Sequence, residues 1–144
     1  MENKGVLTKV LAIAGTVLAW IPILFTILTS IIGTISYRAF RLDYLMPAEL
    51  FPAALIGGLL LIWASHRARS QRKLIGWGFG AAAVFLISGQ IIAVISGLAS
   101  GSIEPTGWVW ELVVASIVLY SLALIEICIA GILLVRKLFL MNLP

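Results

Sequence analysis

Four long stretches of apolar residues, separated by short polar connectors, dominate the chain. The first runs over about 10–35 and the second over about 46–65. The third covers about 74–98 and the fourth about 108–135. Each is as long as the ~20 apolar residues that an α-helix needs to cross a hydrocarbon core of about 30 Å. None shows the strict alternation of a half-buried strand. The pattern predicts an all-α integral membrane protein of four transmembrane helices. With short connectors, sequential helices become antiparallel neighbours in an up-down-up-down bundle. The spans fill positions 1–144 as a single domain. Lys4 and Lys9 ahead of the first run resemble a signal-peptide n-region, but the run exceeds the ~7–15 residues of a signal h-region, so it reads as a retained span.

Prolines and glycines refine this picture. Pro22 near the middle of the first span removes a backbone donor and predicts a kink, as does Pro52 in the second. Membrane helices tolerate such residues because neighbours re-satisfy the backbone. In the third span Gly89, Ala93 and Gly97 recur every four residues, with Gly101 beyond them and Gly76 and Gly80 earlier. That spacing predicts a small-residue face that lets another helix backbone approach closely. The partner is either a helix of the same bundle, a second copy in a homo-oligomer, or another membrane protein. Ala99 to Gly107 is rich in turn formers and reads as a loop.

Composition explains why lipid is the solvent. Of the residues, 62% are hydrophobic and 11% charged, against about 45–50% and about 25% in a soluble domain. The net charge of +4 is distributed in a way that sets orientation. Lys4, Lys9, Arg67, Arg69, Arg72, Lys73, Arg136 and Lys137 fall on one side of the four spans, and only Arg38 and Arg41 on the other. The positive-inside rule then predicts both termini in the cytoplasm (N-in/C-in), in a bacterial-type cytoplasmic membrane. Basic residues split among helix ends do not make a nucleic-acid platform. The stretch from His66 to Lys73 reads as a topology signal that meets anionic head groups.

Candidate chemistry is sparse. Glu126 lies ten residues before Arg136, about 15 Å along a helix and so near the bilayer midplane. A charged, unpaired carboxylate there costs at least about 2.5 kcal/mol. It is either a proton- or cation-binding transport site, or a neutral acid tying helices together through Ser88, Gln90, Thr26 or Thr29. Glu111 falls about 60° from it on the helix wheel and is either an accessory acid or an interfacial carboxylate. Arg38 and Arg41 stand near Asp43, Glu49 and Glu104 as ion-pair candidates over the outer face.

A single cysteine, Cys128, and a single histidine, His66, argue against a metal or haem site within one chain. No cofactor is expected. Phosphate-loop, nucleophile-elbow and zinc-protease motifs are absent, and an enzyme is not predicted. The size and four-span plan are similar to those of small multidrug-resistance transporters. The essential acid of that family is on the first helix, where this chain has none, and no family is assigned. The sequence therefore predicts a small multi-pass membrane protein. One reading is an oligomeric transporter or channel-like protein built on Glu126. The other is an accessory subunit that binds a membrane partner through the third span.

Overall fold

A computed structural model of the protein describes residues 2–37, 51–104 and 106–140, with side chains omitted for residues 2–4, 34, 36 and 37. It holds four helices, α1 (Glu2–Tyr37), α2 (Phe51–Ala68), α3 (Arg72–Ile95) and α4 (Trp108–Leu140), and no strand among the described residues. All four are long and apolar enough to cross a membrane. The protein is thus an all-helical bundle with the character of a membrane protein. Large apolar side chains cover its outside, among them Ile32, Val84, Ile95 and Leu122. In water that surface would be prohibitive; against lipid tails it costs nothing.

Without a hydrophobic drive between helices, packing depends on close backbone approach. Small residues supply it. Gly15 and Ala19 of α1 face Gly57 of α2. A methyl group on Gly57 would lie 2.7 Å from the Ala19 amide nitrogen and 3.0 Å from the Gly15 carbonyl oxygen. The Arg67 Nε donates to Thr8 Oγ1 at 3.2 Å, two turns closer to the start of α1. On the other side, Gly78 of α3 meets Ile127 of α4, and Gly89 meets Ser116. Eleven residues forward on α3 therefore match eleven back on α4.

The α1–α2 and α3–α4 pairs join mainly through α1 and α4. Gly131 makes this contact. A methyl there would lie 2.7 Å from Thr16 Oγ1 and 3.3 Å from the Leu61 side chain. The Thr16 hydroxyl is held by the Ala12 carbonyl at 2.7 Å. Around this point lie the deepest side chains of the molecule: Ala12, Leu61, Ala64, Ile75, Ile127, Cys128 and Leu134. The Phe79 ring rests on Gly58 and ties α3 to α2. The core is concentrated toward one end, where Lys9 sits 4.8 Å over the Phe139 ring.

Several boundaries differ from the hydropathy limits. The first helix is longer, from Glu2, because polar residues outside the apolar run still follow helical geometry. The fourth continues past Arg136 and Lys137 to Leu140, since Leu138 and Phe139 still pack on the bundle. The third stops at Ile95, not 98. Gly97 has φ +78° and lies beyond the Ser96 cap, the left-handed conformation that commonly closes a helix. Gly97 is therefore part of a turn and does not belong to the small-residue face of α3. Pro22 lies buried inside an unbroken α1, and its carbonyl accepts the Thr26 hydroxyl at 2.7 Å. Pro52 is the second residue of α2, and residues 46–50 of the expected second span lie outside the described residues. So do Arg38, Arg41, Asp43 and Glu49.

The turn between α2 and α3 is tight and strained. Arg69 and Gln71 both adopt positive φ, 50° and 55°. Neither is glycine, and each such residue costs about 1–2 kcal/mol. The Arg72 guanidinium bridges the turn by donating to the His66 carbonyl at 2.8 Å.

Candidate functional site

Glu126 is placed by one of the close points of the α3–α4 contact. Gly78 has no Cβ, so α3 can lie against α4 here. A methyl on Gly78 would meet Ile127 Cγ1 at 3.0 Å, and the Ala123 carbonyl oxygen and the Glu126 carboxyl carbon at 3.6 Å each. The carboxyl group therefore rests beside bare helix backbone. Glu126 is partly buried, on the margin of the α3–α4 seam. The residues above and below it on the same stripe of α4, Leu119, Leu122, Ile129 and Leu133, are all exposed. Among the described residues Glu126 has no hydrogen bond or ion pair.

The polar partners that spacing suggested do not reach it. Ser88 donates to the Val84 carbonyl at 2.6 Å within its own helix. Gln90 is close to the Gly89–Ser116 level, about eleven residues from the Gly78–Glu126 level. Thr26 and Thr29 donate to carbonyls of α1, those of Pro22 and Phe25. None of these hydrogen bonds ties Glu126 to another helix among the described residues. Nor does it line either described cavity. The carboxyl group lies on the margin of the seam toward α3, and among the described residues nothing compensates a charge there. It can hold a proton, accept a cation, or pair with a donor from outside the chain.

Glu111 occupies the first turn of α4, exposed. Fifteen residues along the helix put it about 22 Å from Glu126. The two acids share a side of α4 but make no joint site. Between their levels, Gly89 and Ser116 bring the helices together again beside a small cavity of about 50 Å³. Phe85, Leu86, Gln90, Ala93, Val113 and Ile117 complete its lining. The Ser116 hydroxyl is held by the Leu112 carbonyl at 2.9 Å.

The small-residue face of α3 is divided between two roles. Gly78, Ala82 and Gly89 are buried against α4. Gly76 and Gly80 point outward, with nothing within 4 Å of a methyl placed on either. Spacing alone missed Gly78, Gly57 and Gly131, three of the close contacts between helices. Gly15 and Ala19, four apart on α1, were a legible signal for one of them.

Charge is segregated along the bundle. Lys9, Arg67, Arg69, Arg72, Lys73, Arg136 and Lys137 gather where the α2–α3 turn meets the start of α1 and the end of α4. None of them is in an ion pair among the described residues. Glu104 and Glu111 lie toward the other end. No group of His, Cys, Asp or Glu among the described residues could hold a metal. Cys128 is fully buried in the core. Comparison with protein-family models, with curated proteins and with solved structures gives no match for the chain.

Proposed function

We propose that the protein is a small oligomeric transporter or channel-like protein of the cytoplasmic membrane, with Glu126 as its proton- or cation-binding group. The helices run up-down-up-down, with both termini and the α2–α3 turn in the cytoplasm. The cationic end supports this orientation through the positive-inside rule. One observation carries the functional reading: a carboxylate partway along an otherwise apolar, exposed stripe of α4, without a partner among the described residues. Leaving such a group charged and unpaired is costly, so a proton, a cation or a second subunit completes the site. A pathway between subunits is in keeping with one bundle of four closely packed helices, which leaves no room for a generous pore. Glu111 serves as an accessory acid nearer the outer surface.

The test is flux in proteoliposomes with an ionophore-set proton or cation gradient. Glu126→Gln keeps the shape and removes the charge. It should abolish coupled flux while the purified protein keeps its elution profile. Full flux in the Gln variant removes the central claim.

A second reading is favoured by Gly76 and Gly80, which leave an outward strip of α3 open to another helix. On that reading the protein is an accessory subunit. Co-purification of a stoichiometric membrane partner, lost on Gly80→Leu, would select it.

A further inference from the structure

We propose that Arg72, Lys73, Gly76 and Trp77 form a site for the head group of an anionic phospholipid. The inference is independent of the role of Glu126. The four residues make two adjacent rows at i,i+4 spacing, Arg72 with Gly76 and Lys73 with Trp77, so they share one patch of the first two turns of α3. They line an open depression of about 280 Å³ on the surface of the bundle.

Each residue has a part in this site. Arg72 is tethered by its bond to the His66 carbonyl at 2.8 Å. The tether holds a planar cation at the mouth, where a phosphate can accept two of its remaining donors. Lys73 adds a second charge one residue on. No described carboxylate neutralises either cation. Gly76 opens the floor, since nothing lies within 4 Å of a side chain placed there. Trp77 is 77% exposed and forms the wall on the membrane side. An indole at that level belongs to the head-group region, with its ring among the upper methylenes and its N–H toward the polar layer.

Charge complementarity names the occupant. The whole end of the bundle is cationic, and it also carries Lys9, Arg67, Arg69, Arg136 and Lys137. A free anion in solution would find the two cations but would have no use for Trp77 or the open strip above Gly76. A phospholipid uses all four: phosphate at Arg72 and Lys73, glycerol over Gly76, acyl chain along Trp77.

The experiment is native mass spectrometry of the full chain in detergent, doped with equal amounts of phosphatidylglycerol and phosphatidylcholine. Phosphatidylglycerol should be retained preferentially. With each cation worth about fivefold, Arg72→Gln/Lys73→Gln should lower retention roughly 25-fold. Arg136→Gln/Lys137→Gln removes the same charge from the same end and should leave retention within about twofold. Equal losses in both double variants would mean general attraction and would overturn the site. Equal retention of the two lipids overturns it too, as does displacement by inorganic phosphate at the concentration of the lipid. Gly76→Leu fills the depression with every charge kept and with no neighbour to clash. It decides the matter if the charge variants do not fold: retention must fall, and unchanged retention refutes the proposal.

Discussion

Replacing Gly57 with alanine tests whether close backbone approach holds the bundle together. The added methyl would lie 2.7 Å from the Ala19 amide nitrogen and 3.1 Å from the Leu18 carbonyl carbon. Ordinary contact begins near 3.4 Å, so the helices must part by the difference of 3.4 and 2.7, 0.7 Å. The obstacles are backbone atoms, which no rotamer change can remove. A gap of this size forfeits a quarter to a half of each dispersion well along the seam. Overpacking of this kind costs about 1–3 kcal/mol. Alanine also favours a helix over glycine by about 0.5–1 kcal/mol, so the wild type is the wrong reference. Gly80→Ala is the right one, because it makes the same chemical change where no neighbour lies within 4 Å. At roughly 4 °C per kcal/mol, Gly57→Ala should melt about 4–12 °C below Gly80→Ala. Thermal unfolding of the purified protein in one detergent, followed by the monodisperse fraction, provides the assay. Equal melting temperatures would show that the α1–α2 seam is not where stability resides.

Three further outcomes are expected. Gly131→Ala would push a methyl to 2.7 Å from Thr16 Oγ1 and should destabilise by about 1–3 kcal/mol; Thr16→Ala removes the obstacle, so the double variant should melt above Gly131→Ala alone, and simple additivity would refute the contact. Gly97→Ala forces a side chain into φ +78° and should cost about 1–2 kcal/mol, measured by the same unfolding assay, whereas a change on a lipid-exposed helix face would be neutral. A cysteine at His66, exposed beside the α2–α3 turn, in a Cys128→Ser background should react with an impermeant maleimide only in inverted membrane vesicles, and labelling in intact cells would reverse the proposed orientation.

The legibility of this chain follows from what a bilayer demands. Spans are obvious because the solvent enforces them over some twenty residues. Helix ends are less so, since hydropathy reports where lipid stops rather than where the helix does. Lys9 and Phe139 illustrate this: both lie outside or beyond the apolar limits, yet both are helical and in contact. The place of Glu126 along its helix was readable from its distance to Arg136. Its neighbour was not, because all four helices are apolar nearly all round and their register depends on a few glycines. The four-residue interval ending at Gly97 shows the same limit. Periodicity cannot distinguish a glycine that admits a helix from one that terminates it, and only the positive φ separates Gly97 from Gly89.

The turn between α2 and α3 places two requirements on one residue. Arg69 sits in a backbone conformation that glycine or asparagine would occupy with less strain. Yet, on the proposed orientation, its charge belongs to the set that keeps this turn on the cytoplasmic side. A substitution that relaxes the chain here weakens the signal read during insertion. The conflict is one between equilibrium and biogenesis. The cost in folding energy recurs throughout the protein's lifetime, whereas the benefit of the charge is collected once, as the hairpin enters the bilayer.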